Sequence, residues 1–366
     1  MRLLDRYLLR ELLVPLAVCL GGFLVFWIAF DLFAELPAFQ RNGLGWGAIL
    51  HYYLLSTPQL LSFILPAALL LALLYALTQH ARHHELTAMR AAGIGVWRLC
   101  APYWAVGAVL SLSLLVVNEW VVPATDDRAE AVLAGDDTRR VEVTHLGLDN
   151  PGERRYWQVG AFHLVTGEMR QPQVNWRGPD GEWWLFAARA WFTNGAWTFA
   201  EARTFHRPPR AGYQMPVADV PVLTMTNFTE PPDLFRAEHR ISARLRTFKS
   251  RKTDIPVADL LAYFQRNPDL PARDHARLHT MLHGRLAGPW TCLVVVLIAV
   301  PFGAPAGRRN VFVGVAGSIF ICFAYLFLQQ SSLALGTGGL LPPWLAAWLP
   351  NALFAGAGAW LTQRLR

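Results

Sequence analysis

The sequence of 366 residues predicts an α-helical polytopic membrane protein with six transmembrane helices and an extracytoplasmic, β-jellyroll-like domain inserted between helices 3 and 4. Three observations lead there. Hydrophobic residues make up 54% of the chain and charged residues only 16%, against about 25% charged in soluble domains. Residues 12–30, 42–81, 99–118, 286–307 and 310–363 carry no Asp, Glu, Lys or Arg. The charge gathers instead in residues 124–283, which hold 21 basic and 20 acidic side chains.

Each charge-free window is long enough for a membrane span, which needs about 20 mostly apolar residues. A charge at the bilayer centre costs at least about 2.5–3.5 kcal/mol on insertion scales, so its absence over such lengths is informative. The windows place spans at about 12–33, 54–78, 100–121, 285–303, 311–332 and 344–362. Arg2, Arg6 and Arg10 precede the first apolar run, as in a signal peptide. That run exceeds a signal core of about 7–15 residues and no A-x-A-like site follows, so it reads as an uncleaved first span. Gly336, Gly338, Gly339, Pro342 and Pro343 divide the last two spans as a turn.

Arginine distribution sets the direction of insertion. Ten arginines (Arg2, Arg6, Arg10, Arg82, Arg90, Arg98, Arg308, Arg309, Arg364 and Arg366) fall on one side, and only Arg41 lies in a short loop on the other. Both termini are therefore expected in the cytoplasm and residues 124–283 outside it. The organisation is then residues 1–123 for spans 1–3, with a cytoplasmic helix at about 79–95, residues 124–283 for the extracytoplasmic domain, and 284–366 for spans 4–6. The net charge of +7 belongs mainly to the membrane part, where 12 basic side chains face 6 acidic ones. It is not the footprint of a nucleic-acid binder.

The polar middle reads mainly as β. Tyr156–Val159, Trp183–Ala187, Ala190–Phe192 and Trp197–Ala200 are aromatic-rich strand segments. Gly178-Pro179-Asp180-Gly181 and Asn194-Gly195 between them are turn signals, the latter a hairpin signature. A small antiparallel sandwich or jellyroll-like sheet follows. Residues 256–266 and 272–283 read as helices leading into span 4, with Pro256 in a first turn. The run 236–252 carries Arg236, Arg240, Arg244, Arg246, Lys249, Arg251 and Lys252 against Glu238 alone. It reads as a solvated linker, or as a contact for anionic headgroups.

Enzymatic signatures are missing. No Gly-Lys dipeptide exists to form a Walker A loop, and no G-x-S-x-G or H-E-x-x-H motif occurs. His80 and His84, and His275, His279 and His283, have helical spacing, yet each set offers few ligands and reads as a polar interfacial face. No metal or cofactor is expected. Cys19, Cys100, Cys292 and Cys322 all lie in or beside apolar spans and read as packing residues. Asp31, Glu35, Glu119 and Arg285 sit at outer span ends, where solvation or an ion pair accounts for them. Phe26, Phe30 and Phe33 recur at helical spacing in the outer half of span 1 and form one aromatic face.

Residues 79–98 are the most informative. Leu86, Met89 and Ala92–Gly93 fall on one helical face, Arg82 and Glu85 on another. A short amphipathic helix between two spans either lies on the membrane surface or docks into a groove on a soluble partner.

These residues resemble a known family. Leu4-Asp5-Arg6-Tyr7 runs straight into span 1, and Glu85-Leu86-Thr87-Ala88-Met89-Arg90-Ala91-Ala92-Gly93 is similar to the coupling helix of the LptF/LptG permeases of lipopolysaccharide export. Asn118-Glu119-Trp120-Val121-Val122-Pro123 resembles the exit of the third span in LptG-type members. His283-Gly284-Arg285-Leu286-Ala287-Gly288-Pro289, followed by Ile298-Ala299-Val300-Pro301-Phe302-Gly303, resembles the fourth. The order of these motifs covers the whole chain. The resemblance implies one permease of an ABC exporter, paired with a second LptF/LptG-type permease on an LptB-type ATPase dimer and handing lipopolysaccharide to an LptC/LptA-type periplasmic bridge. It implies an ATPase-coupling role for Arg82, Glu85, Leu86, Met89, Arg90 and Gly93. Phe26, Phe30, Asp31, Phe33, Glu35 and Arg41 become candidates for the lipid path. Here the chain departs from LptG-type members, which carry lysines near the outer end of span 1 where this one has Asp31 and Glu35. Two rival readings remain at this stage: a membrane-anchored scaffold or sensor, and a permease of the same architecture for another lipid.

Overall fold

Two long apolar helices open the chain, α1 (Leu3–Arg41) and α2 (Trp46–Arg82), followed by the short α3 (Glu85–Ala91). Next comes α4 (Val96–Val116), which passes through a π turn (Val117–Val121) into α5 (Val122–Ala134). The computed structural model describes residues 3–134, 142–209, 214–246, 255–268, 270–303 and 311–364. Arg2, Lys249, Arg251, Lys252, Arg308, Arg309 and Arg366 of the charge patterns above lie outside the described residues, as do the side chains of Arg244 and Arg246. By internal contacts the chain divides into two units, residues 1–36, 56–122 and 270–366 in one and residues 37–55 and 123–269 in the other.

The first unit is helical. After the inserted domain it continues with α8 (Ala272–Ala287), a 3₁₀ turn (Gly288–Trp290), α9 (Thr291–Gly303), α10 (Val311–Thr337) and α11 (Pro343–Gln363). Leu8, Leu12 and Leu16 of α1, spaced one turn apart, bury one stripe against Ala68, Leu69, Ala72 and Leu73 of α2 and Cys100 and Tyr103 of α4. Cys292, Val296 and Ala299 of α9 complete that core. At Gly107 of α4 a Cβ would meet Val296 Cγ2 at 2.9 Å and the Leu293 Cα at 3.3 Å, so a bare backbone lets α4 and α9 approach. One buried polar cluster is mutually satisfied. Tyr325 of α10 donates to Asn351 Oδ1 of α11 (2.6 Å) and lies 2.8 Å from Thr291 Oγ1. Asn351 in turn donates to the Ala287 carbonyl at 2.8 Å.

Among the described residues five helical stretches are long and apolar enough to cross a membrane: Leu3–Arg41, Trp46–Arg82, Val96–Leu133, Ala272–Pro301 and Ile319–Thr337. The sixth expected span coincides with α11, which packs against α8, α9 and α10. Its Asn351, Pro350 and tryptophans lower its hydropathy. The glycine-proline turn falls where expected, with Gly339 at φ +78° and Pro343 opening α11.

The second unit carries an antiparallel sheet of β1 (Glu142–Asn150), β2 (Arg155–His163), β3 (Met169–Gly178), β4 (Gly181–Phe186), β5 (Arg189–Thr193), β6 (Ala196–Arg207) and β7 (Met215–Met225). The order is β1-β2-β3-β4-β6-β5, with β7 also on β6 and β3 also on β5. All seven strands thus join one continuous sheet, because the 12-residue β6 pairs with β4, β5 and β7 at once. The Asn194-Gly195 hairpin joins β5 to β6 with both residues at positive φ, +53° and +79°. Period-two alternation buries Trp157 and Val159 on β2, and Trp197 and Phe199 on β6.

Two helices follow the sheet, α6 (Pro232–Arg246) and α7 (Val257–Arg266). The first half of the basic run is therefore helix rather than solvated linker. Phe235 and Ile241 of α6 are fully buried, and Phe235 packs against Trp157 with ring centroids 5.3 Å apart. Two of its cations are engaged: Arg236 donates to the Leu164 and Val165 carbonyls at 2.6 and 2.9 Å, and Arg240 to Asp259 at 2.6 Å. Burial pushes the carboxyl of Glu238 up, although Arg266 at 3.7 Å and Ser242 pull it down.

Candidate functional site: the α3 segment and the open face of α1

The helix expected over 79–95 is split in two. Residues 79–82 are the last turn of α2, and His84 then enters the left-handed region at φ +59° and breaks the helix. Only Glu85–Ala91 form α3. Gly93, at φ +80°, closes α3 with its N–H on the Arg90 carbonyl (2.9 Å) and the Ile94 N–H on that of Met89 (3.2 Å). This is a Schellman stop, which favours glycine at that residue.

The apolar side of α3 points inward. Leu86 is buried, and Met89 packs against the helical core. Behind Leu86 lies a cavity of about 20 Å³, lined also by Leu8, Leu77, Leu99, Cys100 and Tyr103. Arg82 and Arg90 are exposed, as are Thr87 and Ala88.

Glu85 is not a free surface carboxylate. Tyr7 of α1 donates its hydroxyl to both oxygens, at 3.2 Å to Oε1 and 3.0 Å to Oε2. His80 of α2 donates from Nδ1 to Oε2 at 2.7 Å. His80 is only 2% exposed, whereas the Glu85 side chain keeps 31% of its surface open. Partial burial pushes the Glu85 carboxyl up, but the hydrogen bonds from His80 and Tyr7 and the nearby His80 and His83 outweigh it. The net effect holds Glu85 below the ordinary 4.5, so the carboxylate form persists. Beside this joint, Arg98 of α4 pairs with Asp5 of α1 at 2.8 Å. The sequence pattern singled out Glu85, but not Tyr7 or His80 as its holders. The helical spacing of His80 and His84 predicts one polar interfacial face, but the break at His84 separates the two and His80 is buried.

The aromatic face of α1 stands open. Phe26, Phe30 and Phe33 are 67%, 63% and 77% exposed. Asp31 and Glu35 on the same helix are half-buried. Arg41 donates from Nε back to the Pro37 carbonyl at 3.1 Å.

The span-end charges Glu119 and Arg285 come together. Arg285 Nε of α8 lies 3.5 Å from Glu119 Oε2, and its Nη2 donates to the Asn118 carbonyl. Ser62 of α2 donates to Asn118 Oδ1, so three elements meet at the π turn. A π turn interrupts the ordinary hydrogen-bond ladder, and so opens a carbonyl to a cation. The histidines of α8 line up as spaced, with the His275 and His279 rings 4.1 Å apart.

No curated protein matches the chain. The family model for the lipopolysaccharide export system permease LptF/LptG matches residues 6–364, through both helical halves and the β domain between them. With essentially its whole length matched, the chain belongs to the LptF/LptG permease family, as a multi-pass transport subunit rather than an enzyme.

Proposed function

We propose that the chain is one of two permeases in an ABC exporter that extracts lipopolysaccharide from the inner membrane and passes it to a periplasmic bridge. The observation that carries this reading is the family match over residues 6–364, with a glutamate-bearing helix, α3, between the second and third apolar helices. In this reading residues 1–123 and 284–366 are the transmembrane parts, with six spans and both termini in the cytoplasm. Residues 124–283 are the periplasmic, jellyroll-type domain that meets an LptC/LptA-type bridge.

An LptB-type ATPase dimer binds and hydrolyses ATP below the membrane. The groove of one ATPase subunit takes α3, with Glu85 and Arg90 facing it and Leu86 and Met89 holding α3 to α1, α2 and α4. Closure of the dimer on ATP then pushes α3 and moves the helices it packs on. A driven transporter needs only that its two states differ in affinity for the cargo. The open face of Phe26, Phe30 and Phe33 offers acyl chains a surface in one of those states.

Purification in mild detergent followed by mass spectrometry of protein and lipid tests the reading. An ATPase, a second permease and lipopolysaccharide should co-purify. Recovery of the chain with a periplasmic partner and no ATPase would overturn it in favour of a scaffold. An ATPase with a different bound lipid would overturn the choice of cargo.

A further inference from the structure

The geometry points to Tyr7 and His80 as positioning residues that fix the Glu85 carboxylate for its partner and tie α3 directly to α1. This inference rests on the coupling role proposed above for Glu85 and names how that role is built.

Three observations support it. First, α3 has seven residues, too few to hold a helix on its own, so tertiary contacts decide where it sits. Leu86 supplies the apolar contact, and the Tyr7 and His80 bonds to Glu85 supply the polar one. Secondly, a carboxylate has about four acceptor positions, and Tyr7 and His80 fill only part of them, with one hydroxyl proton shared between both oxygens and one ring N–H on Oε2. Acceptor capacity remains on a side chain 31% exposed, which suits a cationic donor arriving from outside. Without its two holders the Glu85 side chain would sample several rotamers, and a docking cation would have to select one.

Thirdly, Tyr7 lies on α1, which runs unbroken from Leu3 to Arg41. At 1.5 Å per residue, Phe26–Phe33 sit about 30–40 Å along the same rod from Tyr7. A load on Glu85 therefore enters the helix with the open aromatic face through one hydrogen-bonded joint. His80 brings α2 into that joint, and its ring also contacts Tyr7, with centroids 5.7 Å apart. Arg98 and Asp5 flank it, and Arg82, His83, His84 and Arg90 are the further cationic or titratable groups of the segment.

The test uses the whole exporter in proteoliposomes, with Tyr7→Phe, His80→Phe, His80→Asn, Glu85→Gln and the double variant His80→Phe/Glu85→Gln. Lipopolysaccharide released per ATP hydrolysed is the readout, alongside ATPase co-purification. Loss of hydrogen bonds to a carboxylate should lower release per ATP about tenfold in His80→Phe and measurably in Tyr7→Phe, with the ATPase still bound. His80→Asn, which keeps a donor near the Nδ1 position, should recover most of that loss. The double variant should fall no further than Glu85→Gln, because His80 acts through that carboxylate. Wild-type release in Tyr7→Phe and His80→Phe, with Glu85→Gln impaired, would overturn the positioning role and leave the coupling role standing. Wild-type release in Glu85→Gln would overturn both. An impaired His80→Asn that matches His80→Phe would also overturn it, since packing rather than the donor would then be at stake.

Discussion

Arg155 and Glu230 form an ion pair inside the β domain, with Arg155 Nη1 donating to Glu230 Oε2 at 2.7 Å and the two side chains 5% and 1% exposed. Asn150 donates to the other carboxylate oxygen at 2.9 Å, and Arg155 Nη2 to the Asn227 carbonyl at 3.2 Å. The guanidinium also lies over the Phe228 ring, 4.1 Å from its centroid, while Trp197 Nε1 donates to the Glu230 carbonyl at 2.7 Å. These contacts pin the segment after β7 to β1, β2 and β6. Removing one partner of a buried pair leaves an uncompensated charge and costs about 3–5 kcal/mol. Glu230→Ala should therefore lower the unfolding temperature of the purified protein and open 226–231 to protease. Arg155→Met/Glu230→Leu should recover most of the loss, because it removes both charges. Equal stability of wild type and Glu230→Ala would show that the pair contributes nothing.

Much of this architecture is legible in local sequence. The long apolar helices follow from charge-free windows, the β5–β6 hairpin from Asn194-Gly195, and the start of α7 from Pro256. What escaped rests on contacts between distant residues. Tyr7 and Glu85 are 78 positions apart, and Arg155 and Glu230 are 75 apart. No periodicity reports such pairs. The helix α6 escaped for a different reason. Its dense arginines dominate its composition, and its buried stripe is narrow, with Phe235, Ala237 and Ile241 carrying it. The break at His84 was hidden too, because the left-handed turn falls on a histidine rather than on the glycine that usually marks it. The continuous sheet is likewise a matter of β6's length and its three partners, which strand propensity does not encode.

Orientation is tested by reporter fusions. The ten-to-one distribution of arginines predicts that fusions after Gly95 and after Arg366 report a cytoplasmic location and one at Gly195 an exported one. Gly195 lies at a hairpin tip with open space around it, so an insertion there is tolerated by the sheet. A cytoplasmic signal at Gly195 would overturn the architecture.

The exposed face of α1 makes a third prediction. Photo-crosslinkers at Phe26, Phe30 and Phe33 should capture lipopolysaccharide, and one at the buried Leu12 should capture only protein. Capture of a second permease alone at all three sites would make this face a helix interface rather than a lipid surface.

Close packing of α4 on α9 is checked at Gly107. A Cβ there meets Val296 Cγ2 and the Leu293 backbone, and backbone cannot yield as a side-chain end does. Overpacking of this kind costs about 1–3 kcal/mol. Gly107→Val should reduce the yield and thermal stability of the detergent-purified protein, while Val296→Ala in the same chain should relieve part of the clash. An undiminished melting temperature in Gly107→Val would place the two helices further apart.

The last prediction concerns charge at α3. Glu85→Lys replaces the acceptor of the Tyr7 and His80 hydrogen bonds with a donor, between Arg82 and Arg90. The Tyr7 and His80 bonds that the substitution removes are worth about 1.5–3 kcal/mol each as hydrogen bonds to a charged group, a loss that falls on the docking of the seven-residue α3 rather than on the long helices. The chain should therefore insert and fold. An interfacial contact is different, because truncating one partner of a buried charge pair across an interface costs about 2–5 kcal/mol, and reversal at least as much. Co-purification of the ATPase should fall by at least tenfold, or lipopolysaccharide release should stall with the ATPase still bound. The same carboxylate sets the pH behaviour. Its folded value lies below the ordinary 4.5, so its contribution to the joint is fully present above that pH. It is lost as the pH falls through the depressed value, so mild acidification from neutrality should leave assembly with the ATPase unchanged. Pull-down at stepped pH, together with release from proteoliposomes for wild type and Glu85→Lys, reads both effects. Wild-type assembly and release in Glu85→Lys would remove this residue from the coupling path.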